Sequence, residues 1–327
     1  MTLRRFTPTP LAGLALLALL AGAAPAAAQT DAFPSRAIRL VVGFTAGGPT
    51  DVPARFLADK LSAALGVPVV VENKPGAGSM LAIRDVLSKP RDGYTLLACS
   101  YLDPVNTVLY KNPGYKLSDI APVTLIARYD YAIGISKSLP VKTFKELVDY
   151  TKAHPNEVNY GHLGVGSFQN MVAKQLEKLT GIKMTAIPYK GAADAMQEIV
   201  AGRNHLYVGP PLVVMPLYEG GKVDIIAVTG TERLKSAPNV PTLEESGVPL
   251  VAFAWLGICA GAGTPQPVLD LLNSKIVPIV KSPEYRALVE RSGSVAASST
   301  IPEFQAVIEK SAADAAPIIE EFGLKME

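Results

Sequence analysis

The chain has 327 residues, of which 49% are apolar and 18% charged, with 31 basic and 29 acidic side chains. That is ample material for a buried core, and it excludes a disordered chain, a collagen and a coiled coil. The length points to two lobes of roughly 100–150 residues each rather than one small domain.

Residues 1–28 read as a cleaved secretory signal peptide: Arg4 and Arg5, an apolar stretch from Leu11 to Gly22, then Ala26-Ala27-Ala28. The apolar stretch is too short for a membrane span. Without its two basic residues the mature chain, from Gln29, holds 29 charges of each sign and is neutral. A neutral exported chain has no broad electrostatic basis for binding nucleic acid.

Strand and helix patterns then alternate. Ile38–Val42 reads as a buried strand, and Thr50-Asp51 caps a helix running through Leu65, with Pro53 in its first turn. Val67–Val71 and Tyr94–Ala98 are the next strands. Val123–Ile126 and Ala132–Ile135 follow, with Arg128-Tyr129-Asp130 between them. Thr143-x-x-Glu146 is a capping box for a helix to about His154. Val158–Tyr160, Met184–Pro188, Leu206–Val208, Ile225–Thr229 and Val251–Ile258 read as strands, and helices start at Ser167 and Ala192. Thr242-x-x-Glu245 and Thr300-x-x-Glu303 are two more capping boxes, and the tail from Pro265 is mostly helical.

Such alternation predicts an α/β chain with mainly parallel sheets covered on both faces. The absence of a low-complexity linker predicts lobes joined by crossing strands, near 124–135 and 225–258. The expected division is 29–125 and 242–327 for the first lobe and 126–241 for the second. Cys99 and Cys259 each lie in an apolar run. An exported protein can pair two cysteines, but this setting favours two separate buried thiols. Two distant cysteines and the scattered His154, His162 and His205 supply no metal-ligand set, and no motif calls for a cofactor.

Ligands in open parallel sheets bind where strands end and helices begin, so the glycine-rich loops there are the candidate site. Gly43–Asp51 contributes Phe44, Thr45, Ala46 and Gly48 at a helix N-terminus suited to a carboxylate or phosphate, although a tight turn with a cap explains the same residues. It is no Walker loop. Asn73–Ser79 ends in Ser79 and lacks the third glycine of a dinucleotide fingerprint. Ser100-Tyr101-Leu102-Asp103 follows a strand, with Asp103 either a helix cap or a cleft residue. Gly161–Ser167 contributes His162, Gly164, Gly166 and Ser167, and Gly209 ends a later strand. There is no Gly-x-Ser-x-Gly elbow, so catalytic machinery is hard to find.

At these loops the sequence resembles the periplasmic solute-binding receptors of tripartite tricarboxylate transporters, including the Bordetella-type uptake receptors. The stretches that carry the resemblance include Phe33-Pro34-Ser35-Arg36, Gly47-Gly48-x-x-Asp51-x-x-Ala54-Arg55, Val70–Gly78, Asp92–Leu97, Asn159-Tyr160-Gly161, Pro188–Gly191, Pro238-x-Val240-Pro241-Thr242 and Gly263-Thr264-Pro265. The resemblance spans nearly the whole mature chain. It implies a two-lobed periplasmic-binding-protein fold, type II like, with a cleft between the lobes. It also implies a periplasmic monomer without catalysis or cofactor, and a small carboxylate held largely by backbone groups and ordered water. Lobe closure would be read by membrane transporter subunits.

Two departures bear on the ligand. His162 stands where the family often has a small hydroxyl residue, and Gly209-Pro210-Pro211 stands where it often has an acid. The missing acid argues against an amino acid ligand. His162 can donate to a second carboxylate or stack on a ring, and Phe44 or Tyr101 can flank one. Aromatic or dicarboxylic acids are therefore the expected ligands. The competing readings are an exported hydrolase using His162 with Ser167 or Asp103, and a sensory receptor presenting its ligand to a signalling protein.

Overall fold

The structure is a computed structural model that describes residue 2 and residues 33–291 and 293–327. The signal-peptide expectation lies outside these residues. Residues 36–327 form one compact unit. Among the described residues no helix is long and apolar enough to cross a membrane.

The elements, in chain order, are β1 (Ile38–Val42), α1 (Asp51–Leu65), β2 (Val69–Asn73), α2 (Met80–Leu87), β3 (Thr95–Ser100), α3 (Leu102–Leu109) and β4 (Ile120–Asp130). Next come β5 (Ala132–Ser136), α4 (Phe144–Ala153), β6 (Asn159–His162), α5 (Phe168–Thr180), β7 (Thr185–Pro188), α6 (Ala192–Val200), β8 (Leu206–Gly209), α7 (Pro211–Glu219) and β9 (Val223–Val228). The chain closes with β10 (Phe253–Gly261), α8 (Gln266–Val280), α9 (Pro283–Glu290), β11 (Val295–Ala296) and α10 (Ile301–Glu321).

Two sheets result, ordered β11-β4-β10-β3-β1-β2 and β7-β6-β8-β5-β9. Parallel pairing holds for β1 with β2 and β3, and for β6 with β7 and β8. The crossing strands break it. β10 runs antiparallel between β3 and β4, and β5 runs antiparallel between β8 and β9. The sheets are therefore mixed rather than mainly parallel, because a strand that arrives from the other lobe enters from the opposite end. Apolar side chains fill both faces. In the first lobe Met80, Ile83 and Val86 of α2 pack with Trp255, Phe304 and Ile308. In the second, Phe144, Leu147, Val172 and Leu176 cover one face, while Met196, Ile199 and Val214 cover the other.

β4 stays in the first sheet to Asp130, so the first crossing is at Tyr131. The second runs from Thr229 to Ala252, and its Leu243, Val248 and Leu250 pack into the core of the second lobe. The expected boundary at 125/126 thus falls inside β4, and that at 241/242 falls before a segment packed on the second sheet. The two crossings are bonded to each other. Thr229 N donates to Tyr131 O and Tyr131 N to Thr229 Oγ1, each at 2.9 Å, and Ala252 N donates to Thr229 O at 2.9 Å. These bonds hold the two connections side by side.

Local signals hold at most ends. Thr143 and Thr300 accept from the amides of Glu146 and Glu303, caps worth about 1 kcal/mol each. Thr242 and Glu245 also form a reciprocal capping box, but Ser246-Gly247-Val248-Pro249 stops it after one turn and no helix follows. The helix α7 has no counterpart in the sequence reading. Its Pro211, Pro216 and two adjacent valines disguise it.

The cysteine expectation is corrected. Cys99 and Cys259 form a disulfide, with Cα atoms 5.8 Å apart. Cys99 lies opposite Gly257 and Cys259 opposite Leu97, which puts the two side chains on one face of adjacent strands.

Candidate functional site

In the first sheet the chain leaves β1 toward β2 on one side, while β3 lies on the other. The second sheet repeats this around β6, with β7 and β8. Each sheet therefore has a switch point where helix N-termini diverge, between β1 and β3 and between β6 and β8. Nearly all the sequence-derived candidates fall at these two points.

The loop from β1 to α1 carries Phe44, Thr45, Ala46 and Gly48. Thr45 and Ala46 are exposed, and Phe44 and Gly48 half-buried. Gly47 has φ +78°, which reverses the chain toward α1. Its amide donates to Asp51 Oδ2 at 2.8 Å. Asp51, only 1% exposed, also receives Arg55 Nε at 2.8 Å and, on Oδ1, Asn73 Nδ2 at 2.7 Å. Asn73 Nδ2 further bonds Phe44 O at 3.0 Å, and Arg55 Nη2 bonds Asn73 Oδ1 at 2.7 Å. Burial would raise the Asp51 pKa, but the bonds from Arg55, Gly47 and Asn73 together hold it below the usual carboxylate range. The amides of Thr45 and Ala46 make no hydrogen bond among the described residues, while Gly48 closes a turn back onto Thr45. The Thr45 and Ala46 amides form an open set of donors at the positive end of a 15-residue helix. Tyr129 Oη donates to Pro49 O at 2.9 Å, which ties this loop to the end of β4.

Ser79, Ser100 and Asp103 form a buried polar cluster behind the loop. A side chain on Gly43 would collide with Ser79, so the turn Ala77–Ser79 backs directly onto the end of β1. Ala77 and Ser79 hold positive φ values of 48° and 78°, a costly conformation sustained here by Asn106 Nδ2 bonding Gly78 O at 2.9 Å. Asp103 is fully buried in the first turn of α3 and accepts from Ser100 N at 2.6 Å, ahead of the helix, whose N-cap position is Tyr101. The Ser79 and Ser100 hydroxyls lie beside the carboxyl and lower its pKa somewhat, yet neither is aligned as a hydrogen bond, and Asp103 Oδ1 has no partner. Burial outweighs these groups and pushes Asp103 up to about 7.

In the second lobe His162, Gly164, Gly166 and Ser167 share one loop. Gly164 takes φ +122°. Ser167 Oγ accepts from Leu163 N at 3.3 Å and Asn170 N at 3.4 Å, capping α5. Asn170 bridges Tyr160 Oη at 2.6 Å and Val165 O at 2.7 Å. His162 is 7% exposed, and its Nδ1 lies 3.1 Å from Gly164 N. Burial lowers its pKa, so the ring is neutral, with Nε2 as the protonated nitrogen. His162 bonds neither Ser167 nor Asp103 among the described residues. The amides of Val165 and Gly166 make no hydrogen bond among the described residues. Gly209 is buried at the end of β8, and a side chain there would run into Val214 and the Tyr207 ring. It can offer only backbone.

The two halves meet. A side chain on Gly166 would collide with Leu109 of α3. The Tyr101 ring packs edge-on against Phe168 at 5.3 Å, and Phe168 lies 4.4 Å from Tyr131 with the rings tilted at 38°. Tyr101 also lines a cavity of about 560 Å³ between α5 and α10, floored by residues 249–253. Of the expected site residues it is the one that does. Its ring therefore serves the lobe interface as well as the loop. The sequence reading does not name the Asp51–Asn73–Arg55 network or the aromatics Phe168 and Tyr131, which the structure places beside the candidate loops. Among the described residues no group of His, Cys, Asp and Glu is placed to hold a metal ion.

Residues 53–324 match the tripartite tricarboxylate transporter family receptor model. The chain belongs to that family. The UPF0065 protein in gbd 5'region of Cupriavidus necator is 36% identical over 275 residues, 83% of either chain. The protein BugT of Bordetella pertussis is 31% identical, covering 93% of this chain and 94% of BugT. Two solved structures are close in fold. One is an R. palustris protein with adipate, at 31% identity and TM-score 0.76, covering 89% of this chain and 98% of that one. The other is MatC from Rhodopseudomonas palustris with bound malate, at 26% identity and TM-score 0.72, covering 88% and 100%. The family is one of periplasmic solute-binding receptors with a two-lobed fold, and the receptor described here has that fold.

Proposed function

We propose that this receptor binds a small dicarboxylate between its lobes, does no chemistry on it, and delivers it to membrane transporter subunits. The observation that carries the reading is the pair of switch-point loops with unbonded amides, Thr45 and Ala46 on one lobe and Val165 and Gly166 on the other. Backbone donors at a helix N-terminus hold a carboxylate without a buried cation, and water can bridge where a direct bond does not reach. Two such sets, one per lobe, suit a ligand with two acidic ends. The adipate and malate in the two structural neighbours support the same class. Neutral His162 supplies one further donor through Nε2. Closure about the Tyr131–Thr229–Ala252 hinge would bring both loops onto the ligand, and the membrane subunits would read the closed form.

A thermal-shift screen of unfolded and refolded mature protein tests this, with adipate, malate, citrate, benzoate, glutamate and putrescine. A dicarboxylate at 100 times its Kd is expected to add about 2.7 kcal/mol and raise the midpoint. The acid should be recovered unchanged. No shift with any acid, or a shift with putrescine alone, overturns the reading.

A further inference from the structure

We propose that Arg55 and Asp51 form a charge-compensated brace that makes the β1–α1 loop receptive to an anion, with both acting as positioning residues. This rests on the reading that a ligand carboxylate sits on the loop amides. Asp51 opens α1, at the same helix end that the carboxylate would approach. A bare carboxylate there would cancel the helix dipole and repel the ligand. Its oxygens are fully engaged instead, by Gly47 N and Arg55 Nε on one and Asn73 Nδ2 on the other. The bond to Gly47 fixes the loop so that the Thr45 and Ala46 amides remain open. Arg55 supplies the matching positive charge. Neighbouring Lys74 is committed elsewhere, to Asp85 at 2.8 Å and Glu72 at 3.4 Å. The Arg55 side chain is 49% exposed, so a demand for core packing does not explain it.

The brace makes a prediction that a purely structural contact does not. Removing the cation should harm anion binding, and removing the anion as well should reverse part of the loss. Calorimetric titration with adipate, at low and high salt, would compare the natural chain with Arg55→Gln, Arg55→Lys, Asp51→Asn and the double Asp51→Asn/Arg55→Gln. Arg55→Gln should weaken adipate binding about tenfold or more, with the larger loss at low salt. Arg55→Lys keeps the charge but not the two-pronged contact to Asp51 and Asn73, and should fall between the natural chain and Arg55→Gln. The double variant should bind better than Arg55→Gln, because it leaves no uncompensated charge at the helix end, although an amide at 51 accepts on one side only where the carboxylate accepts on both. A double variant no better than Arg55→Gln, or an Arg55→Gln that binds like the natural chain, overturns the brace. If the natural chain binds no acid, the carboxylate reading fails first, and the brace falls with it.

Discussion

Replacing Cys99 and Cys259 together by alanine, or reducing them, should cost the folded protein about 2–5 kcal/mol. The disulfide links β3 to β10, and 160 positions separate its cysteines. Everything from β4 through β9, the whole second lobe included, lies inside that loop. The chain-entropy account gives close to 5 kcal/mol for a loop of this length. Both cysteines are 1% exposed, and they pack among Val41, Leu97, Leu125 and Trp255, so alanine also loses buried contacts. Denaturant midpoints with and without reductant, and for the double alanine variant, measure the effect. Unchanged midpoints would show that the bond contributes nothing to holding the returning strand in the first sheet.

The second large effect is on pH dependence. Asp103 is fully buried, and its pKa rises from 3.8 to about 7. The folded state thus binds its proton more tightly than the unfolded chain does. The stability this contributes is complete below about pH 4 and disappears as pH rises through about 7. The span corresponds to about 4 kcal/mol. Asp103→Asn keeps an acceptor for Ser100 N and offers the Ser79 and Ser100 hydroxyls a donor, with no charge to bury. The variant should therefore be more stable than the natural chain at pH 8, and equal or less stable at pH 4. Denaturation midpoints across that range check it. A constant offset between the two proteins would show that Asp103 does not titrate differently on folding.

Much of the fold was legible. Short β-branched runs such as Ile38–Val42 and the capping boxes at Thr143 and Thr300 mark elements through local chemistry alone. The loops at the switch points were legible too, since glycine clusters and caps must sit where strands give way to helices. What escaped was register and distance. Nothing in the run around Cys99 says that β10 will lie beside β3, so the disulfide was read as two thiols. Asp51 reads as a simple cap because its partner Asn73 is 22 positions away. Asp103 looks like a cleft acid until its burial is known. Thr242-x-x-Glu245 shows the converse, a correct local motif that the following Gly247 and Pro249 keep from becoming a helix.

The central claim is that the β1–α1 and β6–α5 loops hold the ligand. Amide resonances of the deuterated mature protein, followed during addition of adipate, test it most directly. The account predicts that Thr45, Ala46, Val165 and Gly166 shift most and saturate together. If those amides stay still while Met171, Val172, Ser311 and Asp314 move, the ligand sits in the cavity between α5 and α10, and the account is wrong.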